Sequence, residues 1–272
     1  MIEKEKEKKD LGSLTSEDVK DLIMSIRLYL NRLNFVISDS QSEQMIYKGN
    51  IELAENTSYL NSIANAFSDN PFLKLHFSKT IVYINPSKWC IIPAELYHSE
   101  KAYLWIRSIT EYNEDTQKAF VVSFKMPEDG KVFVFDCDKD IIDILNKTLC
   151  NIVLKPYIVE VVEYIRRLKA NAHNKISCIS INKTTIDFIE LKNGVISKSC
   201  NFAFTNIQLP DSIIDEVIYF IASINNNSHF DIRDDFMYIF YNKDVSPEID
   251  IESLKYRLSG YSYNIILHNT NL

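Results

Sequence analysis

Apolar and polar residues alternate with period two along residues 22–30 and 33–37, which is typical of half-buried strands. A third, weaker strand at 44–53 completes a predicted meander of three antiparallel strands. A second meander of three antiparallel strands is predicted at 176–181, 185–191 and 195–204. Asn193-Gly194, which adopts positive φ at little steric cost, predicts a tight hairpin between the last two segments.

Helical spacing follows the first meander, and further strands follow the helix. The apolar residues between 60 and 67 predict an amphipathic helix capped by Thr57, and residues 80–84 predict a fourth strand. Three more elements complete this half: a helix capped by Asp138, a strand at 151–154 and a helix that opens at Pro156.

The second half of the chain predicts the same order of helices and strands. Residues 210–224 predict a helix and 236–241 a strand. A short helix with Ile251, Leu254 and Leu258 on its apolar face then precedes a last strand at 261–267. When residues 86–136 are set aside, both halves carry the order βββαβαβ. The fold class is therefore α/β with mixed sheets, built from a duplicated unit.

We predict two tandem domains. A charged tail at 1–16 is expected to be disordered, the first domain covers 17–171, and the second covers 172–272. The first domain carries an insertion at about 86–136. Within the insertion the pattern predicts a strand, a helix and a hairpin around Asp129-Gly130, at 89–92, 99–109 and 119–135.

Composition excludes several classes of function. The net charge is −7 and the basic residues are scattered, so we expect no nucleic-acid partner. No apolar run approaches the ~20 residues of a membrane span, and the first ten residues lack the apolar core of a secretory signal. The five cysteines include no CxxC pair, which indicates core residues in a reducing compartment. The sequence thus predicts a cytoplasmic protein without a membrane anchor.

A duplicated βββαβαβ unit resembles the ribonuclease H-like arrangement, and two units in tandem resemble the actin, sugar kinase and heat-shock ATPase superfamily. The chain is similar to a family of uncharacterised bacterial proteins, a domain of unknown function with an actin-like ATPase fold. The likeness spans roughly residues 22–267 and is carried by strand starts such as SIRLYLNRLNFVIS and ISCISINKTTIDFIELKNG. An insertion in the first unit is also common in bacterial actin-like proteins.

The resemblance implies a phosphate-binding turn between the first two strands of each unit, normally formed by an Asp and one or more glycines. The first turn is Leu30-Asn31-Arg32-Leu33-Asn34, with neither a carboxylate nor a glycine. The second is Asn182-Lys183-Thr184-Thr185, and the adenosine-binding Gly-Gly is replaced by Tyr241-Asn242-Lys243-Asp244. The chain holds 5 glycines, well below the average usage of about 7%.

Two functions stay open after these absences. The leading hypothesis is a non-catalytic actin-like protein without a cofactor, which acts on an unknown protein partner as a scaffold or regulator, and which can also self-associate. The alternative is a divergent Mg-ATP-binding ATPase or kinase-like phosphotransferase. Its site would lie in the interdomain cleft, with Asn31, Arg32, Asn182, Lys183 and Thr184 in place of the usual groups. Whether the chain is an enzyme is therefore undecided, with the balance against it and no catalytic residue assigned.

Other polar clusters are explained by local structure. The acidic run Asp136-Cys137-Asp138-Lys139-Asp140 has the composition of a metal or nuclease site, but a helix N-terminus attracts the same residues. The five histidines lack the spacing of zinc ligands, so no metal is expected. Four aromatic residues of the insertion are candidates for a partner surface, against the alternative of ordinary packing: Tyr97, Tyr103, Trp105 and Tyr112.

Overall fold

The computed structural model describes residues 10–109, 119–168, 175–182, 185–203, 215, 218–219, 222, 236–241, 250–259 and 264–269. Thirteen strands lie in this part of the chain: β1 Leu22–Leu28, β2 Arg32–Asp39, β3 Met45–Glu52, β4 Lys79–Ile84, β5 Trp89–Pro93, β6 Ala119–Met126, β7 Lys131–Asp138, β8 Ile152–Pro156, β9 Lys175–Ile181, β10 Thr185–Lys192, β11 Val195–Ala203, β12 Phe236–Tyr241 and β13 Asn264–Asn269.

The α-helices whose two ends lie in the described residues are α1 Ser16–Val19, α2 Tyr59–Asp69, α3 Ala102–Ser108, α4 Lys139–Thr148, α5 Tyr157–Arg167 and α6 Ile251–Leu258. Short 3-10 helices occur at Leu11–Ser13, Pro71–Lys74, Ala94–Leu96, Ser99–Lys101 and Pro127–Asp129. Among the described residues, no helix is both long and apolar enough to cross a membrane.

The strands form three sheets. The first has the order β3-β2-β1-β4-β8 and the second the order β11-β10-β9-β12-β13. In each, the strand added beside the first strand of the antiparallel meander runs parallel to it: β4 beside β1, and β12 beside β9. The third sheet, β5-β7-β6, belongs to the predicted insertion. The predicted duplication is therefore confirmed at the level of sheet topology.

The two meanders also have the same register, residue by residue. Leu28 pairs with Leu33 beside the first hairpin, as Ile181 pairs with Ile186 beside the second. The third strands match in turn, since Asn34 pairs with Asn50 as Asp187 pairs with Asn201. Three residues beyond each of these middle-strand positions, after Ile37 and after Glu190, the register shifts by a bulge. Asn34 and Asp187 are therefore equivalent positions of the duplicated unit.

Packing divides the chain into two compact units. The first takes the described residues of Met1–Ile84, Glu114–Phe120 and Cys137–Lys155, and the second takes those of Asn85–Asn113, Val121–Asp136 and Pro156–Leu272. Most of the insertion therefore packs in the same unit as the second meander, although the sequence places it inside the first domain. The predicted boundary between 171 and 172 lies outside the described residues and stays a prediction.

Each unit has an apolar core built from one face of its meander. In the first unit the inward residues of β1 and β2, such as Met24, Ile26 and Ile37, are fully buried. In the second unit α6 contributes Leu254 and Leu258 to a buried cluster on one face of the second sheet. The insertion has its own small core, in which Ile106 of α3 packs with Val132 and Val134 of β7, among others. The burial of β1 alternates as its sequence predicts, whereas β10 is buried on both faces.

Local differences from the sequence prediction have clear causes. The N-cap of α2 is Ser58, not Thr57: the Ser58 hydroxyl accepts from the Asn61 amide, while Thr57 hydrogen-bonds Ser62. The first strand ends at Leu28 because Tyr29 begins the turn. The helix predicted at 99–109 is α3 at Ala102–Ser108, and Ile109 follows its end and is 50% exposed.

Two further predictions concern segments of which the structure describes only some residues. Residues 210–224, predicted as one helix, lie mostly outside the described residues, and the described residues 215, 218–219 and 222 are helical. In the predicted tail, residues 1–9 lie outside the described part, and Leu11–Ser13 forms a 3-10 helix before α1.

The turn chemistry of the second meander is confirmed. Asn193 and Gly194 both have positive φ, as a tight two-residue hairpin loop requires. Lys192 and Val195 pair across this loop. The β6–β7 connection ends with Gly130 in the left-handed conformation, after a 3-10 turn.

We expect Gly49→Ala to lower the stability of the protein. A Cβ atom at Gly49 would lie 2.8 Å from Cζ of Phe35, its cross-strand partner in β2. The Phe35 ring is buried and packs on Phe72, so it has little room to move. A loss of about 1–3 kcal/mol is expected, as for other overpacked sites. Urea unfolding of Gly49→Ala measures this loss.

The matched control is Gly12→Ala, because a Cβ there meets its nearest neighbour, Asp10 Oδ2, at an ordinary 3.6 Å. Equal unfolding midpoints for the Gly49 and Gly12 variants would contradict the proposed overpacking.

Candidate functional site

The first hairpin of each meander is closed by the same hydrogen bond. In the first meander the Tyr29 amide donates to the carbonyl of Arg32, at 2.9 Å. In the second the Asn182 amide donates to the carbonyl of Thr185, also at 2.9 Å. Asn182 is therefore equivalent to Tyr29, and Asn31 is equivalent to position 184. The two asparagines predicted as candidates do not occupy equivalent positions of the duplicated unit.

The predicted candidates of the first turn serve local structure. Asn31 is exposed, and its carbonyl accepts a hydrogen bond from the Leu53 amide at 2.8 Å. The Arg32 guanidinium lies over the ring of Tyr29, with 5.3 Å between its Cζ and the ring centroid. Of the second turn, Asn182 is described, whereas Lys183 and Thr184 lie outside the described residues.

Asn182 donates both of its amide hydrogens to neighbouring side chains. Nδ2 lies 2.9 Å from Oδ2 of Asp187 and 3.2 Å from Oγ1 of Thr185. Because a primary amide carries two N–H groups, these contacts use its full donor capacity. The side chain of Asn182 is thereby turned towards β10.

Asp187 is the centre of a buried polar cluster. Its side chain is 2% exposed in the middle strand of the meander. Oδ1 accepts from Nε1 of Trp89 at 2.8 Å and from Nδ2 of Asn201 at 2.6 Å, and Oδ2 accepts from Asn182. We name Trp89, Asn182, Thr185, Asp187 and Asn201 the Asp187 cluster. It joins the first strand of the insertion, β5, to β10, β11 and the β9–β10 turn of the second meander.

The Asp187 cluster is not predicted by the sequence. Its one local signal is an acidic residue within the apolar strand TIDFIELK, where every residue but the last is buried. A buried carboxylate needs hydrogen-bond donors or a cation, so this position pointed to partners elsewhere in the chain. Trp89 lies 98 residues away along the sequence, and no local pattern connects it with Asp187.

Burial dominates the electrostatics of this cluster. It raises the pKa of the Asp187 carboxyl to about 6, while the N–H groups of Trp89, Asn201 and Asn182 oppose the rise. On the neighbouring strand, burial and the charge of Asp187 raise the pKa of the Cys200 thiol to about 12. Cys200 therefore carries no thiolate near neutral pH, and the cluster offers a carboxylate as its one charged group.

The equivalent position of the first meander is chemically different. Asn34 stands where Asp187 stands, is 8% exposed, and its Oδ1 has no hydrogen-bond partner in the described part of the chain. Its cross-strand neighbour Asn50 donates instead to Glu52, at 3.0 Å. The duplicated unit thus carries a carboxylate cluster in one copy and a neutral amide in the other.

A second set of polar contacts holds the insertion's turn against the second meander. Arg166 donates to Oδ1 of Asp129 at 2.6 Å and to the carbonyl of Gly194 at 3.1 Å. The same Asp129 oxygen accepts from the backbone amide of Ile196, and Lys131 donates to the Ile196 carbonyl. These side chains satisfy both backbone polar groups of Ile196 on the edge strand β11.

The acidic run at 136–140 behaves as a helix start. Asp138 is the N-cap of α4 and accepts from the Asp140 amide at 2.8 Å. Asp136 accepts from the Ser87 hydroxyl and the Lys88 amide. Within the residues that the structure describes, no group of three or more His, Cys, Asp or Glu side chains is placed to hold a metal ion.

The insertion presents several large apolar side chains to solvent. Tyr103 and Leu104 of α3 are 55% and 42% exposed, and Leu96 and Ile109 before and after this helix are 54% and 50% exposed. Trp105 and Tyr97 instead pack on the insertion's own core, and the Tyr97 hydroxyl lies 2.6 Å from Oγ of Ser123. Of the predicted surface aromatics, Tyr103 is exposed, and Tyr112 lies outside the described residues.

We expect Asp187 to make the stability of the protein depend on pH. Its folded pKa of about 6 lies above the value of about 3.9 in an unfolded chain, so the folded protein binds the proton more tightly. This stabilisation is complete below about pH 4 and is lost as the pH rises through 6, a change on the order of 3 kcal/mol.

Urea unfolding between pH 4 and 8, on the native chain and on Asp187→Asn, measures this contribution, because other titrating groups cancel in the difference. The native chain should lose stability relative to the variant as the pH rises. Two parallel curves would show that Asp187 does not titrate in this range.

The sequence model of one family matches residues 12–254 of the chain, and this family is described as Protein of unknown function (DUF3822). No curated protein matches the chain. A solved structure from Bacteroides thetaiotaomicron VPI-5482, described as a protein with actin-like ATPase fold and unknown function, has a TM-score of 0.75 and 19% identity, with 94% of each chain covered.

A second similar structure is the PilM–PilN type IV pilus biogenesis complex, with a TM-score of 0.59 and 8% identity over 91% of this chain and 88% of that chain. At such low identities these likenesses concern the fold. They agree with the two equivalent sheets and confirm the predicted actin-like architecture. The chain has an actin-like ATPase fold and belongs to the family Protein of unknown function (DUF3822).

Proposed function

We propose that this chain is a non-catalytic actin-fold protein of the cytoplasm that works through protein contacts, as a scaffold or regulator. One observation carries the proposal. Asn182, the described residue that opens the second phosphate turn of the fold, donates both amide hydrogens to Asp187 and Thr185. A turn that binds phosphate must direct its donors to the ligand, and here they are used within the protein.

The first turn supports the same conclusion. Leu30 and Asn31 form its loop, so no carboxylate is available there to organise magnesium and no glycine lets the backbone approach a phosphate. Beyond Arg32, the next polar residue of that meander is Asn34, a neutral amide. Phosphoryl transfer depends on positioned cations and donors, and the described residues of both turns supply few of them.

The insertion offers a surface for a protein partner. Leu96, Tyr103, Leu104 and Ile109 are each at least 42% exposed, and they lie on or beside one short helix. Aromatic and aliphatic side chains of this kind supply most of the binding energy in protein interfaces. The similar structure described as the PilM–PilN type IV pilus biogenesis complex is itself a complex of proteins.

A divergent nucleotide-binding protein is the second candidate. The observation that favours it is the fold itself, which in the Bacteroides structure is described as an actin-like ATPase fold. Lys183 and Thr184 belong to the sequence of the second turn and are candidates to contact a phosphate, and Asn31, Arg32 and Asn182 are the other candidate groups of this hypothesis. In this case Mg-ATP is the cofactor and the chain is an ATPase or phosphotransferase.

We expect no thermal stabilisation by nucleotide. Melting the protein with and without millimolar Mg-ATP or Mg-ADP measures this directly, because a ligand at 100 times its Kd adds about 2.7 kcal/mol to the unfolding free energy. For a chain of this size that would raise Tm by about 5–10 °C. Lys183→Ala is the matched variant.

A rise in Tm that Lys183→Ala abolishes, followed by ATP turnover with the native chain, would overturn the non-catalytic proposal in favour of the second candidate. A rise that Lys183→Ala leaves unchanged would place nucleotide elsewhere on the chain and would overturn both assignments of the turn.

We expect Tyr103→Glu to weaken binding of the protein partner at least tenfold, because a charge in the centre of an apolar interface is costly to desolvate. Affinity purification with each variant, quantified by mass spectrometry, measures the loss. Tyr256→Glu is the control, since Tyr256 is 81% exposed and lies on α6, outside the insertion.

Equal loss of partners with Tyr103→Glu and Tyr256→Glu would contradict the insertion as the binding surface. The recovered partner can be a second copy of this chain. Light scattering across a range of concentrations separates that case, because self-association raises the apparent mass with concentration.

A further inference from the structure

Every hydrogen-bond partner of Asp187 is a neutral N–H donor. Trp89 Nε1 and Asn201 Nδ2 point at Oδ1, and Asn182 Nδ2 points at Oδ2, all within 2.9 Å. The arrangement suits an ionised carboxylate, which accepts and never donates. It contains no cation to balance the charge, so the site is also close to accepting a proton.

The groups that face Asp187 can be named element by element. β9 contributes Ser180, its cross-strand neighbour, and β11 contributes Asn201 and the thiol of Cys200. The insertion contributes the indole of Trp89, and the β9–β10 turn contributes Asn182 and Thr185. Among these described groups Asp187 carries the one charge, because the Cys200 thiol is held protonated.

A proton on Asp187 requires one acceptor, and Asn182 can supply it. Oδ1 can keep both Trp89 and Asn201 as donors, so the added proton belongs on Oδ2, which faces Asn182. The oxygen and nitrogen of a primary amide have nearly the same shape, so a rotation of the amide group exchanges them without moving the backbone. Oδ1 of Asn182 then accepts from Asp187.

Thr185 can follow the same reversal. In the ionised state its Oγ1 accepts from Asn182 Nδ2 at 3.2 Å. A hydroxyl donates as readily as it accepts, because its hydrogen rotates about the C–O bond. After the amide rotation, the Thr185 hydroxyl donates to Asn182 Oδ1. The two hydrogen bonds among the three side chains are kept in both states, each with its direction reversed.

We propose that Asp187, Asn182 and Thr185 form a proton-linked switch, in which one proton from solvent binds Oδ2 of Asp187 and reverses the direction of both side-chain hydrogen bonds at the β9–β10 turn. No covalent bond other than the new O–H bond is made or broken.

Two properties of the site support a switch near physiological pH. The carboxyl is fully buried, which raises its pKa to about 6 even with three opposing donors. The alternative state also needs no space, since the reversal uses rotations of an amide and a hydroxyl. The energies of the two states are therefore brought close together by burial and kept close by the preserved hydrogen bonds.

The switch changes which amide atom of Asn182 points away from Asp187. Asn182 is half-buried, and one of its two amide atoms points away from Asp187. In the ionised state that atom is the oxygen, an acceptor, and in the protonated state it is the nitrogen, a donor. A change of pH thus changes the hydrogen-bonding character of the Asn182 side chain. This inference requires no protein partner, although it rests on the same Asn182 contacts as the proposed function.

Nuclear magnetic resonance tests the switch on the full chain, with the carboxyl carbon of Asp187 and the side-chain amide of Asn182 followed from pH 4 to 8. We expect the two signals to shift with one shared midpoint near pH 6. In Asp187→Asn, the new amide donates as the protonated carboxyl does, so the Asn182 signal should stay near its low-pH position at every pH.

Asn201→Ala provides a second, graded variant. It removes a donor that stabilises the ionised state, so the shared midpoint should move to higher pH while the two signals still move together. The side-chain amide of Asn50, at the position equivalent to Asn201 in the first meander, is the internal control and should not follow this titration.

The proposal is overturned if Asp187 titrates near pH 4, or if Asp187 titrates while the Asn182 amide signal does not move. An Asn182 signal in Asp187→Asn that keeps the native pH dependence would also overturn it, because another group would then drive the change.

Discussion

Strand register is the constraint on which the rest of each unit depends. A slip of one residue in either hairpin would turn every side chain of the middle strand to the opposite face of its sheet. The two meanders share this register down to the bulge after Ile37 and after Glu190. In the second meander the register also sets Asp187 directly across from Asn201, so the buried carboxylate and one of its donors are placed by the same pairing that forms the core.

The equivalent positions of the two copies have diverged in chemistry while keeping their geometry. Asn34 is neutral, so its unpartnered oxygen costs less free energy than a buried carboxylate without donors would. Asp187 therefore depends on Trp89, Asn182 and Asn201. Because Trp89 opens the insertion, this requirement ties the insertion to the second meander. The ion pair of Arg166 and Asp129 adds a second tie at the far end of the same hairpins.

The fold of this chain and the chemistry of its turn residues indicate different functions. An actin-like ATPase fold is shown by the topology and by its structural neighbours, yet a fold hosts many functions and does not by itself imply one. Function is set by the groups that the turns offer to a ligand. Here the described turn residues make hydrogen bonds within the protein, Asn31 through its backbone carbonyl and Asn182 through its side-chain amide. The proposed protein-contact role follows from this internal use of polar groups.

The sequence by itself determined the order of the elements, the duplication, the Asn193-Gly194 hairpin and the Asp138 cap, because each is set by residues close together in the chain. Even there, the N-cap predicted for α2 was wrong by one residue, because Thr57 and its neighbour Ser58 both have a hydroxyl that can cap a helix. Only the tertiary structure decided that Trp89 meets Asp187, that Arg166 meets Asp129 and that the insertion packs with the second meander. Such contacts join residues far apart in sequence, and their energy comes from burial that exists only once the chain has folded.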